Sequence, residues 1–222
     1  MIEKETFGKI SLINGDCMEV LKSLPDNSFD LAICDPPYGI GMDGGKIGGG
    51  VLAKQAIYDK KEWDKLPPPI EYFKELQRVS KNQIIWGANH FISRIPVDSS
   101  CWIVWDKDNG ENYFADCELA WTSFDKAVRK YKYRWQGMLQ GNMKKKEQRI
   151  HPTQKPIALY GWIMNTFAKD GEKILDTHLG SGSICIAAHD LGFEMLGIEL
   201  DAKYYNAAKQ RLLYHQAQLG LF

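Results

Sequence analysis

The chain has no surplus of charge of either sign: 28 Lys and Arg stand against 28 Asp and Glu in 222 residues. A neutral chain has no global attraction to a polyanion, so any contact with nucleic acid has to come from a local patch. Long apolar runs are also missing. The longest uncharged stretches, such as residues 82–93 and 177–189, run about a dozen residues, and a membrane-spanning helix needs roughly 20. The opening MIEKETFGKI holds acids and no apolar centre, so no secretory leader is expected. Cysteine is scarce and odd in number, at positions 17, 34, 101, 117 and 185, with no CxxC pair. That pattern argues against a zinc site or disulfide framework and for reduced thiols in a cytoplasmic protein. No internal repeat is present. At 44% hydrophobic and 25% charged the composition is ordinary globular usage, and the length suits one domain.

Short apolar runs bounded by polar turns and followed by helical patterns dominate the chain. They predict strands at residues 10–14, 31–34, 83–86, 101–105, 117–122, 173–175 and 195–199, and helices at 17–24, 70–79, 157–168, 183–191 and 202–216. Alternating strands and helices mean an α/β sheet, mostly parallel. Two segments stand outside this core. Residues 39–50 hold seven glycines in twelve, which predicts a mobile loop, extended here to 39–62. Residues 126–149 hold nine Lys and Arg against one acid, Glu147, a local charge of +8, with Tyr131, Tyr133 and Trp135 interleaved.

The sharpest local signal is Asp35-Pro36-Pro37-Tyr38, directly after a buried strand. Ligands of open α/β sheets bind beyond the carboxyl ends of the strands. There a carboxylate and the Pro36 carbonyl could accept two N–H bonds from a flat amine-bearing group, with Tyr38 stacked on its ring. The alternative is a strand-ending turn, which Asp and Pro favour. The second signal is DTHLGSGS, from Asp176 through Gly180, Ser181 and Gly182 to Ser183, between a strand and a helix. Its glycines let a ligand approach the backbone, and the helix start favours an anion. Glu199 ends the next strand, 23 residues after Asp176, where an acid can take both hydroxyls of a ribose. Gly39, Gly41 and Gly44 fit GxGxxG formally, but no amphipathic helix follows, and the phosphate-binding Gly-Lys-Ser/Thr pattern fails at Ile47.

Together these residues resemble the DNA amino-methyltransferases, which move a methyl group from S-adenosylmethionine to an exocyclic base nitrogen. DPPY resembles their catalytic motif, which implies catalytic roles for Asp35, Pro36, Pro37 and Tyr38. DTHLGSGS is similar to their cofactor loop, more often DPFxGSGT, with Thr177, His178 and Ser183 departing from it. His151-Pro-Thr-Gln-Lys-Pro156 resembles the motif that seats the methionine end, implying cofactor contacts at Thr153 and Lys155. Lys155 has a second reading as a solvated residue before a helix. Asn14-Gly15-Asp16 resembles the element whose acid lies near the cofactor adenine; with Glu19, Asp16 also spells a helix-capping box. The resemblance thus implies a cofactor set of Asp16, Asp35, Thr153, Lys155, Asp176, Gly180, Ser181, Gly182 and Glu199. Catalytic motif first and cofactor loop last is the circularly permuted order of the beta group. The implied fold is a Rossmann-like, seven-stranded, mostly parallel sheet in the order 3-2-1-4-5-7-6 with strand 7 antiparallel. The N-terminal strand would be number 3, the one before DPPY number 4, and the one before DTHLGSGS number 1.

The implied activity is methylation of adenine N6 in double-stranded DNA, by in-line transfer to a base flipped from the stack. Asp at the first position of the motif leans toward adenine N6. Cytosine N4 and RNA adenine N6 stay open as targets. The sequence argues against cytosine C5 chemistry, which needs a thiolate that typically follows proline, since no cysteine here does. More remote readings are a nicotinamide dehydrogenase built on 39–44 and a non-catalytic DNA-binding module. The basic segment sits where the family places target recognition, implying phosphate contacts from Arg129, Lys130, Lys132, Arg134, Lys144, Lys145, Lys146 and Arg149, with aromatics stacking on bases. The end of the chain, with Gln218, Leu219, Leu221 and Phe222, resembles the QLxLF peptide that docks bacterial proteins on the sliding clamp. Relatives often dimerise, so a homodimer is an expectation by analogy.

Overall fold

The computed structural model describes residues 4–42, 44–47, 56–58, 63–110, 115–136 and 139–219. In chain order the strands are β1 (Lys4–Phe7), β2 (Ile10–Asn14), β3 (Phe29–Cys34), β4 (Gly45–Ile47), β5 (Ala56–Tyr58), β6 (Ser80–Trp86), β7 (Trp102–Asp106), β8 (Cys117–Thr122), β9 (Arg129–Lys132), β10 (Trp135–Gln136), β11 (Leu139–Gln140), β12 (Lys173–Asp176) and β13 (Glu194–Glu199). The helices are α1 (Cys17–Ser23), α2 (Ile70–Val79), α3 (Ile157–Phe167), α4 (Ser183–Asp190) and α5 (Ala202–Leu219).

Among the described residues nine strands form one sheet, in the order β1-β2-β13-β12-β3-β6-β8-β7-β9. Its central run from β2 to β7 is the expected 3-2-1-4-5-7-6, and β8 is antiparallel to both its neighbours, as strand 7 should be. The count of seven is corrected by two edge strands. β1 folds back on β2 through a turn at Gly8, whose φ is +64°. β9, the front of the basic segment, adds in parallel to β7. β1 alternates exposed and partly buried residues and β9 is exposed except at Tyr131, so neither has the continuous apolar run that announced the inner strands.

The inner strands are buried on both faces, and their side chains alternate between two cores. Leu31 and Ile33 of β3 pack with Ile174 and with Leu159, Ile184 and Leu212 of α3, α4 and α5. Ala32 and Cys34 of the same strand pack with Leu175 and with Leu21 and Leu76 of α1 and α2. β3 and β12 lie side by side and parallel, with Leu31 opposite Ile174 and Ala32 opposite Leu175. The chain leaves β12 through α4 toward β13 and leaves β3 through α2 toward β6. Connections that diverge from two adjacent strands open a crevice at their carboxyl ends.

Of the expected mobile loop at 39–62, the described parts are residues 39–42 and 44 and the antiparallel ladder of β4 with β5. The rest lies outside the described residues. Gly182 starts α4 with φ +69°, and a Cβ there would lie 2.9 Å from the Ala208 Cβ. It therefore sets how closely α5 approaches the turn after β12. No described helix is long and apolar enough to cross a membrane.

Candidate active site

β3 delivers Asp35 to the crevice, and a carboxylate held in place elsewhere fixes the turn that follows it. Asp64, only 2% exposed, accepts Tyr38 N–H at 2.7 Å and Gly39 N–H at 2.8 Å on Oδ1, and Met42 N–H at 2.8 Å on Oδ2. The Tyr38 hydroxyl donates to Asp35 Oδ1 at 2.7 Å. Its ring lies against His90, with centroids 5.2 Å apart and planes 16° from parallel. Gly87, at φ +68°, makes room for that ring, since a Cβ there would come within 2.1 Å of Tyr38 Cε1. Gly39 is thus anchored to Asp64 and followed by the β4–β5 ladder, an arrangement unlike a dinucleotide-binding strand–helix turn.

Behind Asp35 lies a buried chain of alternating charges. Lys155 Nζ donates to Asp35 Oδ2 at 2.6 Å and to the Tyr38 hydroxyl at 3.1 Å. It also pairs with Glu118 Oε2 at 3.0 Å, and Glu118 Oε1 pairs with Lys107 at 2.6 Å. The Lys155 side chain is 2% exposed, which removes the reading of a solvated lysine. Burial raises the Asp35 carboxyl above the usual range, while the Lys155 ammonium pulls it back. Against burial, which alone would push it up, Lys155 and Lys107 hold Glu118 at about 2.

The second turn lies across the crevice. Asp176 is buried and accepts His178 N–H at 3.0 Å; burial pushes its carboxyl up to about 8. Glu199 accepts Gly180 N–H at 2.7 Å on Oε2 and Asp201 N–H at 2.9 Å on Oε1. Asp16 caps α1 by accepting Met18 N–H at 2.8 Å, so the capping role is realised while the side chain faces the crevice. Burial drives His178 and His151 down to about 4, so both imidazoles are neutral at pH 7. Thr177 Oγ1 lies 2.7 Å from the Tyr72 hydroxyl and 2.9 Å from His178 Nδ1, which orients the histidine ring. Arg211 of α5 donates to Ser181 O at 3.0 Å and Ser183 Oγ at 2.8 Å, and pairs with Glu147 at 2.7 Å. The lone acid of the basic segment is thereby tied to this turn.

One cavity of about 1040 Å³ joins the two turns. Asp16, Asp35, Pro36, Pro37, Tyr38, Thr153, Lys155, Gly180, Ser181 and Glu199 all line it. Asp176 and Gly182 do not; one stands behind the wall holding His178, and the other packs on α5. Sequence reasoning missed Asp64, Glu118 and His151 as members of the site. HPTQKP pointed near His151, which lies 3.8 Å from the position of a Cβ on Gly180 and 4.3 Å, centroid to centroid, from Tyr204. Nothing local marked Asp64 or Glu118. Among the described residues no cluster of His, Cys, Asp and Glu could hold a metal ion.

The basic segment is less bare than its count of +8. Lys130 pairs with Asp106 at 2.7 Å, and Lys132 and Arg134 pair with Asp108 at 2.8 and 2.9 Å. The guanidinium of Arg149 lies 4.5 Å over the Trp135 ring. Arg129, Lys144, Lys145 and Lys146 are exposed. Of the interleaved aromatics Trp135 is buried, while Tyr131 and Tyr133 are half-buried and pack against the core. Tyr131 stacks on Trp162 of α3 at 4.9 Å, Tyr133 stacks on Tyr131 at 6.0 Å, and Trp135 is buried. Gln218 belongs to α5, which reaches Leu219; Leu221 and Phe222 lie outside the described residues.

Comparison with known proteins agrees with this geometry. The model of a family described as DNA methylase matches residues 72–210. Over 246 residues the chain is 28% identical to the type II methyltransferase M.HinfI of Haemophilus influenzae, covering 91% of this chain and 68% of that one. It superposes on the M1.HpyAVI complex with S-adenosylmethionine at a TM-score of 0.59 and 23% identity, covering 91% of this chain and 100% of that one. It also superposes on the cytosine-N4-specific PvuII DNA methyltransferase at a TM-score of 0.60 and 13% identity, covering 94% and 89%.

The Asp64 clasp is testable without any substrate. In Asp64→Ala the amides of Tyr38, Gly39 and Met42 lose their common acceptor. Their hydrogen exchange should accelerate about tenfold or more, while amides of β3 and β12 keep their protection. Unchanged exchange at those three amides would show that the turn does not depend on Asp64.

Proposed function

Because the chain belongs to the N6-adenine/N4-cytosine family of DNA methylases, we propose that it transfers a methyl group from S-adenosylmethionine to N6 of adenine in double-stranded DNA. The observation that carries this reading is the single cavity shared by the Asp35–Tyr38 turn and the Gly180–Ser181 turn. The lining suits such a donor. Glu199 and Asp16 offer acceptors for ribose hydroxyls and an adenine amine, and the Gly180–Ser181 backbone permits close approach. Thr153 places a hydroxyl on the cavity wall, suited to a carboxylate, and the Lys155 ammonium, held by Asp35, Tyr38 and Glu118, adds a positive field there. When bound, S-adenosylmethionine supplies an electrophilic methyl group on a sulfonium.

The rest is the work of this chain. Asp35 accepts one N–H of the exocyclic amine and the Pro36 carbonyl accepts the other. Those bonds draw the nitrogen toward tetrahedral geometry and free its lone pair from the ring. Positioning and fixed electrostatics supply most of the rate. Pro36 and Pro37 stiffen the turn, and Tyr38 stacks on the flipped base. Asp at this position favours adenine by family resemblance; the PvuII enzyme, of the same fold, acts on cytosine N4.

Nucleoside analysis of DNA methylated by the purified chain checks both reaction and base. N6-methyladenine is expected, and N4-methylcytosine as the product would overturn the adenine reading. Asp35→Ala should lower the rate by about 10²-fold or more and leave the melting profile cooperative.

Arg129, Lys130, Lys132, Arg134, Lys144, Lys145, Lys146 and Arg149 form the proposed DNA-facing strip, all exposed except the half-buried Arg149. Lys144–Lys146 are three consecutive exposed members of it. Neutralising all three to Gln should weaken binding and reduce the slope of log K against log salt by about 3. An unaltered slope would place the phosphates elsewhere.

Gln218, Leu219, Leu221 and Phe222 are proposed to dock on a bacterial sliding clamp, which would concentrate the enzyme on newly made DNA. The full chain should co-elute with a clamp on gel filtration, and a chain lacking residues 218–222 should not. Separate elution of the full chain would end this proposal, and its elution volume also reports whether the chain dimerises.

A further inference from the structure

Both oxygens of the catalytic carboxylate are occupied in this structure. Tyr38 donates to Asp35 Oδ1 and Lys155 donates to Oδ2, at 2.7 and 2.6 Å. Each oxygen keeps a second lone pair, but an amine N–H arriving on Oδ2 would share that oxygen with the ammonium, and its bond strengthens as Lys155 withdraws. Lys155 cannot retreat into water, because its side chain is 2% exposed and its ammonium lies 5.1 Å from the Trp86 centroid. A buried ammonium without a partner is prohibitive. Among the described residues one other carboxylate pairs with this nitrogen. Glu118 Oε2 lies 3.0 Å from the same nitrogen, is buried, and makes no hydrogen bond of good geometry. Its other oxygen is held by Lys107 at 2.6 Å, so the acceptor is fixed in place.

We infer that Glu118 is a positioning residue: it takes the Lys155 ammonium from Asp35 when the acceptor base enters, which frees Asp35 Oδ2 for the amine. This rests on the methyltransferase reading above. The exchange exposes no unpaired charge at any point, since Nζ moves between two carboxylates it already touches. It also helps to dispose of a proton. The nitrogen lone pair forms the new bond to carbon, and the pair of the broken carbon–sulfur bond goes to sulfur. The methylated nitrogen then sheds one proton to Asp35 Oδ2 and keeps the N–H electron pair. Asp35 accepts that proton more readily once Lys155 has turned to Glu118.

The charged and titratable groups facing this centre are Tyr38, Lys155, Glu118, Tyr160 and Asp176 around Asp35, His151 near Lys155, and Lys107 beyond Glu118. Replacing Glu118 by Gln removes a negative neighbour of Asp35 and commits Lys155 to it. Both changes lower the Asp35 pKa. In Glu118→Gln, kcat should therefore fall about tenfold or more, KM for DNA should stay within about twofold, and the acid limb of kcat should move to lower pH by about one unit. Glu118→Asp, which keeps the charge on a shorter arm, should lie between the two. A purely structural role would lower activity and leave the limb in place.

Side-chain carboxyl 13C NMR titration of the unliganded protein reads the same shift at Asp35 without turnover. An unmoved Asp35 titration in Glu118→Gln overturns the inference, whether or not the chain methylates DNA. If that variant does not fold, an unmoved titration in Glu118→Asp overturns it instead. Wild-type protein that transfers no methyl group overturns the enzymatic reading, while the titration still judges the Lys155 exchange separately.

Discussion

A carboxylate and an ammonium in an apolar crevice are tolerable only together, and the Asp35–Lys155 pair is the constraint on which this site depends. Each residue comes from a different end of the chain. Asp35 follows β3, and Lys155 precedes α3, 120 residues later. Either one alone would carry the desolvation cost of an isolated buried ion. The pair therefore requires that the HPTQKP segment lie over the carboxyl end of β3. Lys107, just after β7, and Glu118, in β8, complete a chain of alternating charges with no formal surplus. The strand order makes this possible, because β6 alone separates β3 from β8 in the sheet.

What was legible in the sequence was what is local. DPPY and DTHLGSGS each carry their geometry within a few residues, and both turned out to face the shared cavity. Inner strands such as FDLAIC were legible because burial on both faces demands continuous apolar residues. Their spatial order came from resemblance; no periodicity encodes which strand lies next to which. Edge strands were illegible for the opposite reason. RKYK reads as a charged loop until Asp106 and Asp108 are seen beside it, and nothing in it announces that Tyr131 stacks on Trp162. Glu118 and Asp64 were invisible because their roles are entirely non-local. One is defined by lysines reached from other segments, and the other by amides more than twenty residues back.

Where the chain departs from the family's usual cofactor loop, the structure supplies local reasons. Thr177 joins Tyr72 of α2 to His178, and His178 meets the Tyr72 ring edge-on at 5.4 Å. The position more often occupied by Phe is thus filled by an imidazole that burial keeps neutral, so an aromatic surface is retained without a buried charge. Arg211 binds the carbonyl and hydroxyl of this loop from α5 and holds Glu147 with its other nitrogen. The proposed DNA-facing strip and the proposed donor turn thereby share one guanidinium.

The three amides gathered by Asp64 have a consequence for how such a chain can change over time. Met42 N–H donates to the Asp64 side chain, so the two ends of the connection between them are pinned together beside the Asp35–Tyr38 turn. The entropy of closing a loop between fixed ends grows only with the logarithm of its length, about 0.6 kcal/mol for each doubling. Insertions and deletions in that stretch therefore stay thermodynamically cheap. The geometry around Asp35 can be inherited intact while that stretch changes length.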